Sequence, residues 1–165
     1  MVGEEIGMAK NKPTSDTSAA GDYDFDFHQW PFYWIATVDR SYQSIMEKAL
    51  AHVGLDIPSW RVLMILHSMR SASVSEISSH SVVKLSTMTK IIQRMQNEGL
   101  VTSAASEKDR RVTVVTITDK GEKVGREGFK ESVKIVNRVF ADFTDVEQQI
   151  LLTLLTKLHD TLKRY

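Results

Sequence analysis

The 165-residue sequence predicts a mainly α-helical fold carrying one small β-hairpin. Three observations support this. Apolar residues recur at three- and four-residue steps through most of the chain, as amphipathic helices require. Most of these stretches open on a helix-start signal, a Ser, Thr or Asp cap or an early Pro. Residues 112–117 instead read Val-Thr-Val-Val-Thr-Ile, a β-branched run that suits a strand. With 42% hydrophobic and 25% charged residues, the chain can build a core and fits one ordinary domain better than two.

Residues 1–22 are poor in large apolar groups and rich in Gly, Ser, Thr, Lys and Asp, so a flexible tail is expected there. Order should begin in the aromatic cluster Tyr23, Phe25, Phe27, Trp30, Phe32, Tyr33 and Trp34. Pro31 suits a first helical turn, where its missing N–H costs nothing. Ile35, Val38, Tyr42, Ile45, Met46, Ala49 and Val53 continue the stripe to Gly54, a helix stop. Asp56 and Pro58 open a second helix through Trp60, Val62, Leu63, Leu66 and Met69, ending in the serines near 71–73.

Ser73-Val74-Ser75-Glu76 has capping-box spacing and starts a short third helix that runs to about His80. A fourth helix, Leu85 to Glu98, carries Met88, Ile91, Ile92 and Met95 on one face and polar groups on the other, and Gly99 closes it. Leu100–Ser103 and Val112–Ile117 read as two strands around the polar loop Ala104–Arg110, a hairpin. Thr118 or Asp119 caps a long helix through Val124, Phe129, Val133, Val136 and Phe140. Thr144-Asp145-Val146-Glu147 opens the last helix, through Ile150, Leu154, Leu158 and Leu162. The apolar stripes of these two closing helices are too long for one small globular head to cover.

Composition excludes several functions. With no Cys, the chain has no disulfide, thiolate zinc site, iron–sulfur cluster or thiol switch. No apolar run approaches the roughly 20 residues that span a bilayer, and the N-terminus lacks a signal-peptide layout, so a cytoplasmic protein with no membrane partner is expected. No phosphate loop, Gly-x-Ser-x-Gly elbow or metal-ligand spacing is present, which argues against an enzyme and against a bound cofactor. The five histidines show no i,i+4 pairing, so no metal site is expected.

The net charge of zero at first disfavours nucleic acid, but the charge is uneven. Residues 1–81 hold six Lys/Arg against ten Asp/Glu, whereas 82–126 hold nine against five, a local excess of about +4. That basic segment covers the fourth helix and the hairpin. The element order contains a helix-turn-helix followed by a wing, and such a motif needs short polar side chains at the start of its second helix. Ser86, Thr87, Thr89 and Lys90 meet that need, with Arg94 as further charge. Read alone, these residues equally describe a solvated helix face. In the hairpin loop, Asp109 and Arg111 are two apart and on a strand would share a face opposite Arg110. Asp109 would then orient Arg111 for a phosphate or the minor groove, although an exposed ion pair of no consequence has the same sequence.

Asn97-Glu98-Gly99-Leu100-Val101, Asp109-Arg110-Arg111 and Val115 through Gly121 together resemble the Gly-Leu-Val, Asp-x-Arg and Leu-Thr-x-x-Gly signatures of MarR-type winged-helix transcriptional regulators. The resemblance covers about residues 31–165. It implies a winged helix-turn-helix head with N- and C-terminal dimerisation helices: a flexible tail over 1–22, a dimerisation helix within 23–54, a DNA-binding region over 55–118, and dimerisation helices over 119–165. It also implies a homodimer on a pseudo-palindromic double-stranded operator. Ser86, Thr87, Thr89 and Lys90 match the base-reading positions, Asp109 and Arg111 match the wing pair, and Arg110 matches a phosphate contact. Two positions depart from the pattern. Thr102-Ser103 stands where a basic residue often follows Gly-Leu-Val, and Lys84 stands where a capping side chain is usual.

Members of that family usually release DNA when a small effector, often an aromatic or phenolic acid, binds between the dimer helices and the head. Without Cys, the oxidation-triggered branch is excluded. Trp30, Tyr33 and Trp34, together with Trp60, are candidates for the wall of an apolar pocket, and His28, Arg40 and Arg61 for its carboxylate partners. The same aromatics equally suit core or dimer interface. The function expected is a ligand-responsive repressor. The competing expectation is a helical homodimer whose winged head binds a protein.

Overall fold

The structure, a computed structural model, describes residues 26–165. The expected tail, and Tyr23 and Phe25 of the aromatic cluster, lie outside the described residues. A 3-10 turn, Phe27–Gln29, is capped by the Asp26 side chain and leads into α1 (Pro31–Ala51). Only Met46 and Leu50 of α1 are buried, both near its C-terminal end. α2 (Ile57–Met69) starts where Asp56 accepts from the Ser59 N–H, and it buries Ile57, Val62, Leu63 and Leu66. α3 (Val74–Ser81) begins with the expected capping box: Ser73 accepts from the Glu76 N–H, and Glu76 reaches back to the Ser73 N–H.

α4 (Leu85–Asn97) follows with no side-chain cap, since Lys84 has no oxygen to offer. The sheet and closing helices complete the chain: β2 (Val101–Ala105), β3 (Thr113–Ile117), α5 (Asp119–Val139) and α6 (Asp145–Leu162). The expected hairpin is part of a three-stranded antiparallel sheet, because Ser71–Ser73 forms β1 and pairs with the outer edge of β3. A three-residue strand gives no periodicity to read. Its one apolar residue, Ala72, is buried opposite Val115, and the flanking serines point elsewhere.

The core lies where α1, α2, α3, α4 and the sheet converge, with Met46, Leu50, Leu63, Leu66, Ile77, Met88, Met95 and Val115 fully buried. α5 joins it through a face of small residues, Gly121, Gly125, Gly128 and Ser132. A methyl group on Gly121 would stand 2.1 Å from the Leu100 carbonyl oxygen. α6 buries no residue, and Val146, Ile150, Leu154, Leu155 and Leu162 are all exposed. On α5, Phe129, Val136 and Val139 are exposed as well, as are Trp30, Trp34 and Val38 on α1. No helix among the described residues is long and apolar enough to cross a membrane.

Gly121→Ala is therefore expected to lower the urea midpoint by an amount equivalent to about 1–3 kcal/mol or more, because the obstructing atom is backbone and cannot swing away. An unchanged midpoint would mean that α5 does not approach Leu100 this closely.

Candidate nucleic-acid interface

α4 separates its residues cleanly. Met88, Ile92 and Met95 face the core, and Ser86, Thr87, Thr89 and Lys90 are all exposed along the first two turns. Thr89 donates its hydroxyl to the Leu85 carbonyl at 3.0 Å, which fixes its rotamer and leaves the oxygen outward. With the helix starting at Leu85, its start lies one residue before Ser86, and these side chains occupy the exposed N-terminal end.

The wing differs from the expectation in one respect. Asp109 and Arg111 lie in the turn between β2 and β3, so strand alternation does not bring them together. The turn does. The Arg111 N–H donates to Asp109 Oδ1 at 3.0 Å, and its guanidinium Nε and Nη2 donate to the two carboxylate oxygens, each at 3.1 Å. Arg111's side chain is nevertheless 90% exposed, so the fork orients the guanidinium without enclosing it. These bonds, the guanidinium's and then the N–H's, hold the Asp109 carboxyl below the usual carboxylate range. Arg110 is exposed beside them. Hydrogen bonds from Ser106 N–H to Val112 O and from Val112 N–H to Asp109 O close the loop.

The profile of the MarR family matches residues 55–113 of this sequence. The HTH-type transcriptional repressor IacR of Pseudomonas putida is 43% identical over 135 residues, covering 78% of this chain and 77% of IacR. The chain belongs to the MarR family. Two solved structures share the fold. The PcaV transcriptional regulator from Streptomyces coelicolor, in complex with its natural ligand, aligns with a TM-score of 0.74 at 17% identity, covering 82% of this chain and 96% of that one. A mutant MarR from E. coli complexed with operator DNA aligns with a TM-score of 0.71 at 18% identity, covering 77% and 91%. MarR-family proteins are DNA-binding transcription regulators, not enzymes.

In this MarR-family chain, three further basic residues of the central segment, besides Arg111, are already engaged. Arg94 turns sideways from α4 and donates to Asp56 Oδ2 and, at 2.8 Å, to Ser59 Oγ, tying α4 to the start of α2. Lys120 donates to the Glu98 carbonyl at 2.7 Å, and Arg126 lies 3.4 Å from Glu122. The count of nine basic residues therefore overstates what faces outward. Burial pushes the Asp56 carboxyl up, but hydrogen bonds from Ser59 and then Arg94 outweigh it and hold it below the usual range.

The structure does not gather the residues expected to form an effector pocket. Trp34 donates to the His28 carbonyl at 2.7 Å and packs edge-on against Tyr33, with Trp30 nearby on the same exposed end of α1. Trp60 instead packs at the other end of α1, near Leu50, Leu55 and Gly128. At 1.5 Å per helical residue, Trp34 and Leu50 are about 24 Å apart along the axis. Arg61 donates to the Ser81 carbonyl at 3.4 Å, and Arg40 lies exposed on α1. Trp60 does carry one unusual feature, a buried Nε1 with no hydrogen-bond partner.

A small cleft of about 90 Å³ opens between α2 and α5, with Leu63, Met64, Ile117 and Phe129 forming its apolar walls. At its rim, one carboxylate holds three basic groups: Glu122 lies 3.0 Å from His67 Nδ1, 3.3 Å from Arg70 Nη1 and 3.4 Å from Arg126 Nη1. Sequence reasoning missed this group because His67 and Glu122 are far apart in the chain and neither belongs to a motif.

Arg94→Ala is expected to destabilise the protein by about 1 kcal/mol at pH 7 in urea titration, since both partners are half exposed. Asp56's folded carboxyl titrates below the ordinary value of about 3.9, so its contribution holds above that pH and fades as pH falls through the lower folded value. The gap between variant and parent should therefore close below about pH 4. A gap that persists there would remove Asp56 from the explanation.

Proposed function

We propose that this protein is a homodimeric transcriptional repressor that reads a pseudo-palindromic operator and is released from it by a small aromatic or phenolic acid. The observation that carries the DNA-facing part is the Arg111 fork, an oriented and almost fully exposed guanidinium at the tip of a wing beside a polar-faced helix. Ser86, Thr87, Thr89 and Lys90 are assigned to base edges and phosphates, and Arg110 and Arg111 to the backbone or minor groove. Arg94 is assigned to holding α4 in place. The 43% identity to a protein named as a repressor supports the direction of regulation.

Dimerisation is supported by the exposed apolar rows of α1, α5 and α6, which no other part of the described chain covers. A second copy would bury them and set two α4 helices about one turn of DNA apart, about 34–36 Å. The α2–α5 cleft is the stronger effector site within one protomer: its apolar walls suit a ring, and Arg126 and His67 in its lining suit a carboxylate or phenolate. Trp60 stands one helical turn before Met64 of that cleft. The aromatic group at the N-terminal end of α1, His28, Trp30, Tyr33 and Trp34, is assigned to the dimer contact.

Selection of bound duplexes from a random pool tests the first part: an inverted repeat with half-sites about ten base pairs apart is expected, and recovery of unrelated sequences would refute it. Arg111→Ala should weaken operator and random DNA alike and flatten the salt dependence by about one unit. Binding that ignores salt would instead favour a protein partner for the wing. For the effector, a panel of aromatic acids should contain one that quenches Trp fluorescence and lowers operator affinity in the parent, with the response lost in Arg126→Ala. A response that survives this change would place the ligand elsewhere.

A further inference from the structure

Between α4 and the wing lies an open trough of about 490 Å³, its lining including Thr89, Gln93 and Gln96 of α4, Ser103 and Thr113 of the sheet, and Arg111 at the turn. We propose that this trough seats the sugar-phosphate strand separating the major groove entered by α4 from the minor groove beside it, and that Gln93 and the Gln96–Ser103 pair are its uncharged phosphate contacts. The inference rests on the DNA-facing role of α4 and the wing proposed above. If α4 enters one groove and the wing reaches the next, one backbone strand must pass between them, and the trough lies between these two elements.

The polar part of the lining fits that occupant, with Val74, Leu85, Ile92 and Val112 supplying apolar surface beside it. Val101, Ser103 and Ala105 share one sheet face with their cross-strand partners Ile117, Val115 and Thr113. At the root of the wing this face is core, with Val101 and Val115 buried. Ser103, opposite Val115, begins the polar stretch, and Ala105 and Thr113 form the next rung toward the tip. Across the trough α4 changes in the same way, from buried Ile92 and Met95 to exposed Gln93 and Gln96 on the adjoining flank. Gln96 Nε2 donates to Ser103 Oγ at 2.9 Å, which bridges the floor and holds both side chains. Each keeps a donor to spare, the second amide N–H of Gln96 and the hydroxyl hydrogen of Ser103. Gln93 makes no hydrogen bond to another described residue, so its amide is free to donate. Arg111 is the one cation of this lining.

Neutral donors bond phosphate oxygens but displace no counterions, so they add affinity that salt does not screen away. Gln93→Ala and Ser103→Ala should each weaken binding to the selected operator and to a random duplex by the same factor, about three- to tenfold, with an unchanged slope of log K against log salt. Ser103→Lys should strengthen binding and steepen that slope by about one unit. On operators carrying one uncharged methylphosphonate linkage at a time, the parent should be sensitive at one or two linkages beside the α4 half-site, and Gln93→Ala should lose that sensitivity. A loss confined to the operator, no loss in either alanine variant, or undiminished methylphosphonate sensitivity would overturn the proposal and leave DNA binding standing. A parent that binds neither duplex would overturn both.

Discussion

The backbone at Glu98, Gly99 and Leu100 is where helix α4 becomes strand β2, and the start of α5 closes directly onto it. Thr118 donates its hydroxyl to the Gly99 carbonyl at 2.8 Å, Lys120 reaches the Glu98 carbonyl at 2.7 Å, and Gly121 leaves room for the Leu100 carbonyl. These contacts satisfy carbonyls at the end of α4 that would otherwise lack partners. They also set the angle between α4 and the wing, because both grow from this junction. The same contacts fasten the head to the start of α5. The trough between α4 and the wing inherits its width from this junction.

A second constraint concerns charge. The central segment has an excess of basic residues, but tertiary contacts divide them into two groups. Arg94, Lys120 and Arg126 are consumed in holding α4 to α2, α4 to α5, and the rim of the α2–α5 cleft. Lys84, Lys90, Lys108, Arg110, Arg111 and Lys123 remain outward, with Arg111 oriented by Asp109. Uncharged donors such as Gln93, Gln96 and Ser103 lie on the α4 and wing surfaces beside these cations. The Thr102-Ser103 pair stands where a basic residue often stands in related chains.

Much of the fold was legible because its signals are local. The caps at Asp56, Ser73, Thr118 and Thr144 mark helix starts through bonds to residues three positions on, and all four form. The apolar rows of α1, α5 and α6 were visible as stripes too long for one head, and they are exposed. β1 was not legible, since three residues carry no period and its pairing depends on an edge of β3 that lies about forty residues away. The Asp109–Arg111 pairing was legible as a pair but not as a turn: the spacing fits a strand equally well, and only the closure of the loop by Val112 decides between them.

The sequence by itself determined what local chemistry can determine: helix starts and stops, the amphipathic faces, the polar face of α4, the charged wing, and the absence of thiol chemistry. Tertiary structure decided which of those polar groups are available. It withdrew Arg94 to Asp56 and Ser59, it separated Trp60 from Trp34 by most of the length of α1, and it assembled His67, Arg70, Glu122 and Arg126 into one group. The physical reason is range. Caps and periodicities act within a few residues, whereas an ion pair or a cleft joins groups whose distance along the chain carries no information about their distance in space.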